Sequence, residues 1–172
     1  MKRITIIVEA GVNHNGDPET AKKLVKTAKE CGADIVKFQT FHVEKLVSGY
    51  AEMAGYQKVN LGIEESQKEM LAKLALSQDT FVMLSDYCRE IGIRFLSTPF
   101  DIDSVRFLDA LQDMWKIPSG EITNYPYLVE IAKTGKEIIL STGMSTLNEV
   151  WEAVNVLRQN GAGKITLLHC TT

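Results

Sequence analysis

Short β-branched runs alternate with amphipathic helical stretches along the whole 172-residue chain, and this order constrains the fold more than any other feature. Residues 4–9, 34–39, 94–98, 115–118, 137–141 and 164–170 read as six strands. Asp17 caps the first helix ahead of Pro18, with Ala21, Leu24, Val25 and Ala28 as its apolar stripe and Gly32 as its stop. A helix is expected over 64–76. Another starts at Ser77, carries Phe81, Leu84, Cys88 and Ile91 on one face and ends at Gly92. Further helices are expected over 103–111 and after Tyr125. Thr146 and Glu149, in capping-box spacing, open the last one, whose apolar face is Val150, Ala153, Val154 and Leu157. Strict β-then-α alternation implies a parallel sheet, either open and doubly wound or closed as a (β/α)8 barrel. Polar residues recur at the C-terminal ends of the strands, and no GxGxxG turn follows the first strand. Both features favour the barrel. Since a complete TIM barrel needs about 250 residues, the expectation is an α/β chain, a TIM (β/α)8 barrel truncated to about six βα units over residues 1–172.

Composition excludes several alternatives. The chain is 45% hydrophobic and 24% charged, with 19 basic against 22 acidic residues and a net charge of −3. That balance lacks the basic footprint of a nucleic-acid partner. No stretch approaches the roughly 20 apolar residues of a membrane span, and the apolar run after Arg3 is too short for a signal segment. Cys31, Cys88 and Cys170 are odd in number and widely spaced, with no CxxC, so neither a disulfide scaffold nor a zinc site is expected. Packing roles are expected for the cysteines, and a cytoplasmic location for the protein.

Side chains alternate across a strand, so Lys37 and Gln39 share a face with Ile35, while Val36 and Phe38 suit the helix layer. Glu9 takes the corresponding place on the first strand. Thr98, Lys116, Ser141 and His169 lie on or at the ends of later strands. An ammonium inside a strand is costly to bury unpaired, so Lys37 and Lys116 point to a pairing or anion-binding role. Two lysines with hydroxyls around one cavity suit a phosphate- or carboxylate-bearing small molecule. Glu9 and Glu121 are suited to orient a sugar hydroxyl or a water, or to balance the lysines. His14 faces two readings, a turn with Asn15-Gly16 or a ligand contact. The segment 41–63 is long for a βα loop, and Tyr50, Met53 and Tyr56 fit it either to cover substrate or to dock a partner. His169 has no spaced partner that would make it a metal ligand.

Six blocks in order, EAGVNHNG at 9–16, KFQT at 37–40, STPF at 97–100, KIPSGE at 116–121, LSTGM at 140–144 and HCTT at 169–172, resemble the N-acetylneuraminate (sialic acid) synthase family. The resemblance implies a TIM-barrel transferase that condenses phosphoenolpyruvate with an open-chain N-acetylated sugar aldehyde such as N-acetylmannosamine. The products are a nonulosonic acid and phosphate. It implies that Lys37, Thr98, Lys116, Ser119 and Ser141 hold the phosphate and carboxylate of phosphoenolpyruvate, with Gln39 in the same pocket. Glu9 would face the sugar or the developing charge, and Glu121 would orient water or a proton transfer. A divalent metal, Mn²⁺ or Mg²⁺, would polarise the aldehyde oxygen, on histidines of later strands beyond Thr172. A C-terminal antifreeze-like domain and a homodimer are implied for the full-length protein, and the 172-residue chain alone is expected to be inactive. Legionaminate or pseudaminate synthases and spore-coat polysaccharide homologues would share these motifs. The alternative reading is a non-catalytic half-barrel that binds an anion or assembles with another chain.

Overall fold

The computed structural model describes residues 4–47 and 67–171. In chain order the elements are β1 (Ile7–Gly11), α1 (Pro18–Glu30), β2 (Ile35–Thr40), α2 (Val43–Leu46), α3 (Gln67–Leu74), α4 (Gln78–Ile91), β3 (Arg94–Pro99), α5 (Ile102–Leu108), β4 (Met114–Ile117), a 3₁₀ turn (Ser119–Glu121), α6 (Tyr125–Ala132), β5 (Glu137–Ser141), α7 (Leu147–Gln159) and β6 (Ile165–Leu168). The strand pairings among them are parallel. They give one three-stranded sheet ordered β1–β2–β3 and another ordered β4–β5–β6, with β3 running beside β4.

Local chemistry sets the helix ends where the sequence places them. The Asp17 carboxylate accepts the N–H groups of Glu19 and Thr20, and Ser77 accepts that of Thr80. Thr146 and Glu149 close a reciprocal capping box. Gly92 stops α4 at φ +74°, a left-handed position that glycine occupies without a Cβ penalty.

Strand ends differ more from expectation. β1 starts at Ile7, not residue 4, because Ile4 and Ile6 lie exposed ahead of the pairing with β2. It then runs on to Gly11 through a register shift after Glu9. α5 ends at Leu108, not 111, and the following turn carries Gln112 inward to accept the buried Ser97 N–H at 2.7 Å. β6 stops at Leu168, because its partner β5 stops at Ser141; His169 is therefore past the strand and exposed. The segment 41–63 opens with helix α2, while Tyr50, Met53 and Tyr56 lie outside the described residues.

The two faces of the strands do different work. Val36, Phe38, Phe95, Trp115, Ile117, Ile138 and Leu140 meet the helices in the main core. On the other face, Ile7, Ile35, Leu96, Met114 and Ile139 form a separate apolar layer. Two residues further along each of those five strands stand Glu9, Lys37, Thr98, Lys116 and Ser141. Because strand periodicity is two, one apolar tier is capped by one polar tier at the C-terminal end of the strands.

Candidate functional site

The polar tier is held by the strand register. Glu9 is opposite Lys37 in the β1–β2 pairing, and their side chains form an ion pair. The Lys37 ammonium also donates to Thr98 Oγ1 at 3.3 Å, so one lysine ties three strands together. Its side chain is 11% exposed, whereas that of Glu9 is 49% exposed and open to solvent. Gly11, at φ +53°, leaves room for this arrangement: a Cβ there would come 3.2 Å from Glu9 Oε1 and 3.6 Å from Gln39 Nε2. Gln39 thus stands beside Glu9, on the same face of β2 as Lys37.

Lys116 is held differently. Only 9% exposed, it donates to Ser141 Oγ at 2.7 Å and to the Ile117 carbonyl oxygen at 2.9 Å, both neutral acceptors. Its pKa is lowered to about 8, first by burial and then by the Lys37 charge, against opposing contributions from Cys170 and Glu9. A buried ammonium with neutral partners keeps its charge at a desolvation cost that a neighbouring anion would offset.

Ser119 and Glu121 lie on the 3₁₀ turn after β4, both half-buried. The Glu121 carboxylate accepts from Asn124 Nδ2 at 2.7 Å, which turns it toward the start of α6 rather than onto a lysine. Of the two readings of His14, the structure supports the turn with Asn15-Gly16, and Nε2 is buried without a hydrogen-bond partner. The imidazole is 1% exposed, packed toward Phe38 with its centroid 6.1 Å from that ring, and its Nδ1 accepts the Gly16 N–H at 3.1 Å. Burial lowers its pKa, so it stays neutral inside the first βα turn.

Cys88 packs as expected, with burial pushing its thiol up to about 12. Cys170 does not fit the packing role. It is half-buried, its Sγ accepts the Gly143 N–H at 3.2 Å, and this bond, with the Ser141 hydroxyl and the Lys116 charge, holds the thiol below its ordinary value. The signal was present as strand alternation: two residues past Leu168, which is opposite Ser141, Cys170 continues the same face.

Among the described residues no three His, Cys, Asp or Glu side chains gather as a cation site. These residues alone therefore do not fit the divalent metal implied by the motif resemblance. No helix among them is long and apolar enough to cross a membrane.

Fold and site together define an α/β protein that gathers two lysines, two hydroxyls and a carboxylate in one tier at the C-terminal ends of its strands. The chain belongs to the NeuB family, whose model matches residues 24–172. It is 53% identical to N,N'-diacetyllegionaminic acid synthase of Campylobacter jejuni over all of this chain and 52% of that protein. It is 37% identical to N-acetylneuraminate-9-phosphate synthase of Mus musculus over 97% of this chain and 46% of that one. The sialic acid synthetase of Leptospira borgpetersenii, solved with citrate, superposes with a TM-score of 0.84 at 27% identity, covering 99% of this chain and 55% of that chain. The chain spans about half the length of the curated relatives it matches.

Proposed function

We propose that this chain supplies the phosphoenolpyruvate pocket of a nonulosonate synthase, as the first six units of a (β/α)8 barrel. The observation that carries the reading is the buried Lys116 ammonium with only neutral hydrogen-bond acceptors, in the same polar tier as Lys37, Thr98 and Ser141. The names of the relatives supply the reaction class: synthases of legionaminic and neuraminic acids. The exposed Leu167 and Leu168 on β6, at 46% and 39%, support further strands beyond this edge.

In this reading Lys116 and Ser141 bind one anionic group of phosphoenolpyruvate, Lys37 and Thr98 another, with Ser119 and Gln39 completing the pocket. The enol carbon attacks the aldehyde carbon of an N-acetylated amino sugar, and the carbonyl oxygen takes up a proton. Water adds to the resulting oxocarbenium carbon, and the tetrahedral intermediate collapses to the 2-keto acid with C–O cleavage and release of phosphate. Glu9, half open to solvent beside the pocket, faces the sugar or the developing cation. Glu121 orients the water or takes its proton, which requires its carboxylate to leave Asn124. The metal and its histidines, like the closing strands, would come from the rest of a full-length protein, acting as a cytoplasmic homodimer. The 172-residue chain alone is then a binding half without turnover.

Titration calorimetry of the chain with phosphoenolpyruvate tests the pocket. Saturable binding that Lys116→Ala removes is the expected result. Binding unchanged by that substitution would sink the assignment. Legionaminate, neuraminate and spore-coat precursors are separated by supplying each N-acetylated sugar to the full-length enzyme and measuring phosphate release.

A further inference from the structure

The two three-stranded sheets meet along β3 and β4, and among the described residues no backbone ladder joins these neighbours. Alternate residues of β3 turn their backbone groups to opposite sides. Arg94 and Phe100 donate to the Asp34 and Thr40 oxygens on the β2 side, so Ser97 and Pro99 face β4. Pro99 has no N–H to give a ladder there. Side chains take its place. Gln112 Oε1 accepts the Ser97 N–H at 2.7 Å, and the buried Tyr127 hydroxyl donates to the Pro99 carbonyl oxygen at 2.7 Å. These bonds grip β3 at the two residues that flank Thr98. Gln112 itself is anchored to the other half, because its carbonyl oxygen accepts from the Lys136 ammonium, directly before β5, at 2.9 Å. Its Nε2 is buried without a hydrogen-bond partner. Turning the amide over would set N–H against N–H, so the side chain is held in place for its acceptor alone.

We propose that Gln112 and Tyr127 are positioning residues that set the span between the Lys37–Thr98 half of the polar tier and the Lys116–Ser141 half, and so select ligands by the distance between two anionic groups. This rests on the pocket holding one anionic group on each half, as in the phosphoenolpyruvate reading. A ladder fixes neighbouring strands at one spacing through repeated backbone bonds. The β3–β4 seam is held instead at points beside Thr98. Within the first half, β2 and β3 are paired in register and Lys37 donates to Thr98 Oγ1 at 3.3 Å, so a shift of β3 carries both groups together. Within the second, Lys116 and Ser141 are joined at 2.7 Å across the β4–β5 ladder. Each half is tied within itself, and the seam is the joint between them. A small molecule with a phosphate or carboxylate at each end spans that joint, whereas a single anion seated on one half does not sense it.

Calorimetry of the chain with malonate, succinate and glutarate, which differ in the separation of their carboxylates, tests the proposal. The wild-type chain should rank them, with one length preferred. Gln112→Met keeps the reach of the side chain but offers Ser97 no oxygen. It should flatten the ranking, weakening the preferred dianion by roughly tenfold, the effect of one well-placed hydrogen bond. Inorganic phosphate, seated on one half, should bind both proteins alike. Gln112→Glu returns an oxygen acceptor and should restore the ranking. Where Gln112→Met fails to fold, Tyr127→Phe, which removes only the hydroxyl, makes the same comparison from the other flank of Thr98. No ranking in the wild type, or a ranking that survives the substitution, would overturn the proposal. So would an equal loss for phosphate, which is what a general loosening of the fold produces. Phosphoenolpyruvate is titrated in parallel: if the dicarboxylates are ranked and it does not bind, the phosphoenolpyruvate reading fails and the joint stands.

Discussion

The two halves of the polar tier carry the same residue type in opposite electrostatic states. In the β1–β2–β3 half, Lys37 is satisfied: Glu9 neutralises it and Thr98 accepts from it. In the β4–β5–β6 half, Lys116 is more deeply buried, and its acceptors are a hydroxyl and a carbonyl. The difference teaches that a strand lysine is not by itself a binding group. Lys37 already holds a carboxylate that an incoming anion must work beside, whereas Lys116 keeps its charge only at a desolvation cost that an anion would relieve.

The largest expected effect breaks the buried half. Lys116→Ala should weaken phosphoenolpyruvate binding by about 2–5 kcal/mol, the range for truncating one partner of a buried charge pair, as read by calorimetry. Lys37→Ala should cost clearly less in the same experiment, because Glu9, left unpaired, is half-exposed and can turn to water. Equal losses would erase the asymmetry between the halves.

The pH dependence sharpens it. With the Lys116 pKa lowered to about 8, the affinity for phosphoenolpyruvate should fall as pH rises through that value. Stability moves the other way. The unfolded lysine keeps its proton up to its ordinary value of 10.5, so the unfolded state binds more protons than the folded one between about 8 and 10.5. The Lys116 contribution therefore rises with pH across that window, by at most about 1.4 kcal/mol per unit. Cys88 acts oppositely above its unfolded value of 9.0, because its folded thiol resists ionisation until about 12. The comparison is thus between wild type and Lys116→Met in urea unfolding, where only the lysine contribution differs. An identical pH slope in both proteins would contradict the buried, destabilised ammonium.

Glu9→Gln probes the paired half. Removing the carboxylate frees Lys37 to repel Lys116, which should lower the Lys116 titration midpoint further, visible by NMR. A midpoint that rises or stays fixed would show that the halves do not communicate. The smallest effect belongs to the scaffold. Thr146→Ala breaks the α7 capping box and should cost about 1 kcal/mol of unfolding free energy, with little change in anion binding.

Much of this architecture was legible in the residues. Helix starts at Asp17, Ser77 and Thr146 follow from a side-chain oxygen meeting backbone N–H groups two or three residues on, a local interaction that needs no tertiary context. Strand ends were less legible. Ile4 and Ile6 read as strand, yet the register with β2 begins at Ile7, and Ile6 adds only its carbonyl oxygen, which accepts the N–H groups of Asp34 and Ile35. His14 stands in a turn loop, a place that normally faces water, but its imidazole is buried and its ring lies beside Phe38 of β2. The partner of Glu121 is not legible from its block, because Asn124 meets its carboxylate only through the fold of the 3₁₀ turn. The lowered Cys170 thiol has no cause adjacent in sequence; the Gly143 N–H that meets its sulfur is distant in the chain and near in space.

By itself the sequence determined the βα order, the caps and the placing of a charged or hydroxyl residue two positions beyond an apolar one on five strands. Those are periodicities of single segments, set by backbone sterics and local hydrogen bonds. Which lysine is neutralised was decided only by the tertiary structure. Pairing Glu9 with Lys37 depends on β1 lying beside β2 in one register, and leaving Lys116 with neutral acceptors depends on Ser141 standing next to it across β4 and β5. Register is selected by burial of the whole apolar tier at once, so the charge state of one buried ammonium is a property of the packed strands and of no segment alone.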